Sequence, residues 1–153
     1  MAKHIFIVCG EPSGDLHAAG LARAIKGISP EVKISGVGGP LLRAAKAELF
    51  CDIKGLAVFG LSDALKKLPR FLSLKKLILQ KISQEKPDCL ILVDFSGFNL
   101  RLAKAVNKAI PVIYYISPQV WAWRSGRVKT IKKLVDRMAV ILPFEQEFYR
   151  KLG

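Results

Sequence analysis

Acidic side chains are scarce in this 153-residue chain: 12 Asp and Glu stand against 25 Lys and Arg, for a net charge of +13. That imbalance calls for an anionic partner, whether nucleic acid, an acidic membrane face or a phosphorylated substrate. Cysteine is sparse as well. Cys9, Cys51 and Cys89 form no Cys-x-x-Cys pair, and Cys9 and Cys89 lie within apolar runs. This argues against a disulfide framework or a zinc site and predicts reduced, buried thiols. No apolar run approaches the roughly 18 residues that cross a bilayer, and the opening Met1 to Gly10 has too short an apolar stretch for a secretory signal. A cytoplasmic location is expected. Gly-x-Gly-x-x-Gly is missing, and so is Gly-Lys-Ser/Thr, which excludes a dinucleotide fingerprint and a P-loop.

What is present is enough apolar material, 51% of the residues, to bury one proper core. The expected organisation is a single domain over 1–153. His4 to Cys9 is a continuous apolar run of the kind found in parallel strands covered on both faces. Val32 to Val37, Cys89 to Asp94, Val112 to Ser117 and Met138 to Leu142 read as four more strands. Between them, helices are predicted over Leu16 to Lys26 (with Leu16, Ala19, Ala22 and Ile25 on one face), Leu41 to Lys46, Leu74 to Glu85, Leu100 to Asn107, Arg127 to Val135 and Glu145 to Leu152. Such alternation predicts an α/β fold with an open, mostly parallel, Rossmann-like sheet carrying helices on both faces.

In that architecture the carboxyl ends of the strands open onto one crevice, where four loops converge. Gly10-Glu11-Pro12-Ser13-Gly14-Asp15 joins a strand to a helix, and its glycines let backbone amides approach a ligand. Glu11 and Asp15 would repel a phosphate, so sugar hydroxyls are the better partners there; the plain alternative is a turn in which Ser13 or Asp15 caps the helix. The second loop is Gly36-Val37-Gly38-Gly39-Pro40. In the third, Asp94 ends an apolar strand and precedes Phe95-Ser96-Gly97-Phe98-Asn99, where a rigidly held carboxylate suits a general base, unless it caps a helix or binds loop amides. His17 lies within a helix and His4 at the opposite edge of the sheet, so neither competes well for that role. The fourth loop, Ser117 to Arg127, holds both tryptophans, Trp121 and Trp123, beside Arg124 and Arg127. Flat rings next to guanidinium groups suit a ligand part apolar and part anionic, such as an acylated sugar phosphate.

The segment Leu61 to Lys86 carries another signal. Leu61, Leu65, Leu68 and Leu72 recur at helical spacing beside Lys66, Lys67, Arg70, Lys75, Lys76 and Lys81, and Pro69 is expected to split it into two short helices. A leucine stripe with lysines fits docking on an anionic membrane surface, with Leu65, Lys66, Lys67, Leu68, Arg70 and Leu72 as contacts. It fits equally a domain helix with its leucines in the core and a solvated basic face. Nucleic acid is disfavoured, because no recognised binding module is present and the aromatics gather in a crevice loop.

Taken in order, the Gly10 to Asp15, Gly36 to Pro40 and Asp94 to Asn99 loops, Ser117-Pro118-Gln119-Val120-Trp121-Ala122-Trp123-Arg124 and Leu142-Pro143-Phe144-Glu145 resemble the amino-terminal half of lipid-A-disaccharide synthases. The likeness runs over essentially the whole chain. It implies the amino-terminal domain of a two-domain GT-B glycosyltransferase, peripheral on the cytoplasmic face of the Gram-negative inner membrane. The implied reaction joins UDP-2,3-diacylglucosamine to 2,3-diacylglucosamine 1-phosphate in a β-1,6 linkage, releasing UDP with inversion. Asp94 is then the base. Gly10, Glu11, Ser13, Gly14, Asp15, Gly38, Gly39, Asn99, Ser117, Trp121, Trp123, Arg124 and Arg127 are the expected substrate contacts. No cofactor is implied, and the absence of Asp-x-Asp predicts no catalytic metal. The sequence departs from the family where Phe95-Ser96 replaces a frequent Ala-Pro or Ser-Pro, where Lys46 stands in place of a helix-ending Gly and where Phe59 stands for Met; none removes an ionisable group the reaction needs. The family's UDP-binding carboxy-terminal domain has no counterpart here, so the chain is expected to be a fragment or one half of a split protein, and a homodimer stays open. The alternatives are a non-catalytic half that binds acylated sugars or membrane, or another GT-B enzyme such as a UDP-N-acetylglucosamine epimerase.

Overall fold

The computed structural model describes residues 2–54, 64–118 and 126–151, the side chains of 64–68 and 126–127 apart. Within them six strands form one sheet in which every neighbouring pair is parallel, in the order β3-β2-β1-β4-β5-β6. The strands are β1 (His4–Cys9), β2 (Lys33–Gly38), β3 (Glu48–Asp52), β4 (Cys89–Val93), β5 (Val112–Tyr115) and β6 (Arg137–Ala139). The helices are α1 (Pro12–Ile28), α2 (Pro40–Ala44), α3 (Ala64–Glu85), α4 (Ser96–Val106), α5 (Gly126–Leu134) and α6 (Pro143–Lys151).

Continuous apolar strands demand cover on both faces, and the side chains divide accordingly. Phe6 and Val8 of β1 with Leu90 and Leu92 of β4 pack against Leu74 and Ile78 of α3 and Leu102 of α4. Ile7, Cys9, Ile91 and Val93, the alternate residues of the same strands, pack against Ala18, Ala19 and Ala22 of α1 and Leu42 of α2. Small alanines let α1 lie close to the sheet. Gly36 answers a similar constraint from the strand side: at φ 146 it sits beside a register shift between β2 and β3, and a Cβ there would collide with the Ile7 carbonyl.

Several expectations change. Helix α1 begins at Pro12, four residues before Leu16, because proline is preorganised for a first turn. Ala19 and Ala22 of the expected face are buried and Ile25 packs beside them, but Leu16 is exposed and Ala18 joins the stripe. The edge strand β3, flanked by Glu48 and Asp52, is too short and half-buried to announce itself by periodicity. Pro69 lies inside α3 without dividing it. A proline removes only one backbone hydrogen bond, and the helix beyond it is held by Leu74, Ile78 and Ile82 in the core. Lys46 takes the left-handed conformation, φ 64, just after α2, which is the position where glycine usually ends a helix. The three thiols are free, and burial pushes the Cys9 thiol up to about 12. Among the described residues no helix is long and apolar enough to cross a membrane.

Candidate functional site

The strand order reverses between β1 and β4: the chain leaves β1 toward β2 on one side, and β4 is followed by β5 on the other. A crevice therefore opens at the carboxyl ends of these two central strands. Asp94 stands there. Both Asp94 and Phe95 adopt left-handed backbone, each at φ 48, and Ile116 at the end of neighbouring β5 does the same at φ 66. Left-handed phenylalanine and isoleucine are strained, and such strain persists only where surrounding bonds overdetermine it. Here they do. Asp94 N donates to the Tyr115 carbonyl (3.0 Å), the Tyr114 hydroxyl donates to the Asp94 carbonyl (2.6 Å), and Asn99 Nδ2 donates to the same carbonyl (2.8 Å) and to that of Val93 (3.3 Å). Ile116 N donates to the Ala139 carbonyl at 2.9 Å.

The backbone of Asp94 is thus fully engaged, whereas its half-buried carboxylate accepts no hydrogen bond from any described residue. A rigidly carried carboxylate with open lone pairs can accept a hydroxyl proton. Burial first, and then the nearby Asp94 charge, push the Tyr114 phenol above its usual range, so it stays a neutral donor. Asn99 is fully buried and spends its amide group on the strand end, with no partner for Oδ1 among the described residues. Tyr114 went unrecognised in the sequence, since a tyrosine within a strand looks like any other core residue.

On the β1 side, Gly10 lies against the Phe95 ring, so a side chain there would strike that ring. Glu11 and Ser13 are exposed at the start of α1, and Glu11 makes no cap through its side chain. No described residue takes up their side-chain oxygens, which can meet hydroxyl groups. Asp15 is different: it is 2% exposed and accepts hydrogen bonds from the backbone amides of Gly39 (2.8 Å), Leu41 (2.9 Å) and Leu42 (3.1 Å). It therefore caps α2, the following helix, and ties the first loop to the second. Gly38 and Gly39 are packed as well: a Cβ at Gly38 would stand 2.6 Å from the Leu42 side chain, and one at Gly39 2.5 Å from an Asp15 carboxylate oxygen. Gly14 is buried against Cys9 and Val93. His17 is exposed, its ring edge-on to Tyr115 at 6.3 Å, and His4 bonds Ser35 at the far end of the sheet.

At the exit of β5, buried Ser117 donates to Glu145 Oε1 at 2.6 Å, and Leu142 N donates to Glu145 Oε2 at 3.1 Å. The Tyr149 hydroxyl donates to the Pro118 carbonyl at 3.2 Å. Glu145, 2% exposed, is a residue the sequence reading did not single out for the site. Its signal was Leu-Pro-Phe-Glu, with proline opening a helix and glutamate at the third position reaching back to the cap. Burial pushes the Tyr149 phenol up, and the Glu145 charge adds to it. Trp121, Trp123 and Arg124 lie outside the described residues, as does the side chain of Arg127. The same holds for the side chains of Leu65, Lys66, Lys67 and Leu68, while Arg70 and Leu72 are exposed on α3.

The family model described as Lipid-A-disaccharide synthetase matches residues 5–153. A lipid-A-disaccharide synthase of Trichlorobacter lovleyi is 51% identical over 99% of this chain and 40% of its own length. That of Myxococcus xanthus is 48% identical over 97% of the chain and 39% of its length, and lipid-A-disaccharide synthase 1 of Legionella pneumophila is 48% identical over 99% and 40%. The chain thus spans about 40% of the length of these curated relatives. Among solved structures, Acinetobacter baumannii MurG superposes with a TM-score of 0.58 over 92% of this chain and 42% of its own, at 16% identity, which is a likeness of fold. A match over nearly every residue, with relatives at about half identity, makes this chain a member of the lipid-A-disaccharide synthase family.

Proposed function

We propose that this chain is the acceptor-side half of an inverting glycosyltransferase that builds the lipid A disaccharide. In that reaction UDP-2,3-diacylglucosamine and 2,3-diacylglucosamine 1-phosphate give the β-1,6-linked disaccharide 1-phosphate and UDP. Asp94 takes the proton from the acceptor's 6-hydroxyl as that oxygen attacks the anomeric carbon from the face opposite the leaving UDP. The C–O bond forms as the bond to the pyrophosphate breaks, and the diphosphate leaves with the electron pair. A base positioned in this way supplies roughly 10²- to 10⁴-fold in rate. Glu11 and Ser13 bind sugar hydroxyls, Asp15 and Asn99 hold the loops that carry them, and Arg124 or Arg127 pairs the acceptor phosphate. The leaving diphosphate is met by a carboxy-terminal domain of the complete enzyme.

One observation carries this reading. Asp94 ends a central strand at the reversal point of the sheet, with its backbone locked by three partners and its carboxylate unclaimed by any described residue. The test is Asp94→Asn in the complete enzyme. Turnover should fall by about 10²- to 10⁴-fold with folding unchanged; near-normal turnover removes Asp94 from the role.

The finer location is peripheral, on the cytoplasmic face of the inner membrane. Leu72 and Leu77 of α3 are 52% and 38% exposed, beside Lys75 and Lys76, while Leu74, Ile78 and Ile82 form its buried stripe. Exposed leucines among lysines fit an anionic lipid surface. Leu72→Ser should lower co-sedimentation with anionic vesicles and leave thermal stability unchanged; a loss of stability instead would make Leu72 a packing residue.

A further inference from the structure

A cavity of about 250 Å³ opens between the first half of α3 and the start of α4. Three phenyl rings form its wall: Phe71 lies 5.8 Å from Phe95 and 5.8 Å from Phe98, and Phe95 lies 5.4 Å from Phe98, centroid to centroid. Leu72, Gly97, Lys75 and Arg101 complete the lining, and neither cation is in an ion pair among the described residues. Gly97 is exposed on the same wall, and a Cβ built on it meets nothing within 4 Å.

This combination selects its ligand. Apolar rings without a hydrogen-bonding group reject a sugar or a peptide backbone, and two unpaired cations favour an anion close to the apolar part. The volume equals about eight water-sized spaces of about 30 Å³ each, room for the inner part of one alkyl chain and too little for a helix. Phe95 follows Asp94 directly and rests on Gly10, so the cavity adjoins the candidate site. We infer that the Phe71–Phe95–Phe98 cavity is an acyl-chain subsite: it takes one chain of an anionic amphiphile whose head is met by Lys75 and Arg101. Resting on the function proposed above, that chain belongs to the acylated acceptor sugar.

Hexyl and octyl phosphate, titrated calorimetrically into the protein below their micellar concentrations, test the subsite. Each methylene moved from water into such a cavity gains about fourfold in affinity, so octyl phosphate should bind about tenfold tighter or better. Gly97→Leu, which projects into open space without meeting a neighbour, should abolish that increment. Arg101→Glu, an exposed substitution, should weaken both phosphates by the same factor and keep the increment. Equal affinities for the two chain lengths in the unaltered protein, or an increment that survives Gly97→Leu in a folded variant, would overturn the inference. Asp94→Asn separates the two readings, because it should leave the increment intact while stopping disaccharide formation. If the increment is present but the complete enzyme forms no disaccharide, the transferase proposal falls and the subsite stands. Disaccharide formation without an increment does the reverse.

Discussion

The two ends of the sheet are built on opposite plans. At the amino end, two strand-start carboxylates are paired off: Asp88 accepts from His4 N at 2.8 Å and from Lys3 Nζ at 3.0 Å, and Asp136 accepts from Val112 N at 2.8 Å and Lys108 Nζ at 3.5 Å. His4, Ser35 and Glu85 form a further linked group there, with Ser35 Oγ 2.8 Å from His4 Nε2 and donating to Glu85 at 3.1 Å. At the carboxyl end, Glu11 and Asp94 accept no hydrogen bond from a described residue through their carboxylates, and left-handed backbone falls on Phe95 and Ile116; at the amino end it falls on residues that end helices, Lys46, Lys86 and Asn107. Asp88 and Asp136 at the strand starts are satisfied within the chain, as are Asp15 and Glu145 at the strand ends, whereas Asp94 and Glu11 have no partner among the described residues. That asymmetry is what a chain shows when one rim stabilises and the other binds.

The sharpest way to break the contrast is to relax the strain at position 94. Asp94→Gly suits a left-handed φ, so denaturant unfolding should give a stability equal to or up to about 1 kcal/mol above that of the unaltered protein. Turnover in the complete enzyme should still fall by about 10²-fold or more, and a variant both less stable and active would erase the distinction. Asp15→Ala should be the costliest to folding, lowering stability by about 2–4 kcal/mol in urea titrations, because three backbone amides lose a buried acceptor. Tyr114→Phe removes one buried hydrogen bond to the Asp94 carbonyl and should cost about 1 kcal/mol, with a larger proportional loss in turnover than in stability. At the amino end the effects are smallest and depend on pH. Hydrogen bonding, led by the amides of His4 and Val112, lowers the pKa values of Asp88 and Asp136 below 3.8. Their stabilisation is therefore complete above that value and is lost as the pH falls below it. Asp88→Asn with Asp136→Asn should flatten acid unfolding below about pH 4 and leave the neutral-pH activity alone. The Cys9 thiol, raised from 9.0 to about 12, works at the other limit. Its contribution is complete below pH 9.0 and is lost as the pH rises toward 12, visible as alkaline unfolding that Cys9→Ala would reduce.

The strands on which the site is built were legible because burial on both faces leaves continuous apolar runs such as Ile5 to Cys9 and Leu90 to Val93, which no other soluble element imitates well. The place of Asp94 at a strand end was legible because the apolar run stops there. What escaped was pairing at a distance. Asp15 looked like a ligand for sugar or a cap for its own helix, and only the topology sets it 24 residues away beneath Gly39. The link from Ser117 to Glu145 spans 28 residues and likewise leaves no local trace. Pro69 misled in the other direction, since local propensity favoured a break and tertiary contacts of the helix beyond it outweighed one lost bond.

The three amide bonds to Asp15 also bear on motion. They staple the turn after β1 to the turn after β2, so the two form one stiff jaw whose opening would strand a desolvated charge. Any adjustment of the cleft to differently sized guests must then carry both turns together, since moving either alone breaks the amide bonds to Asp15.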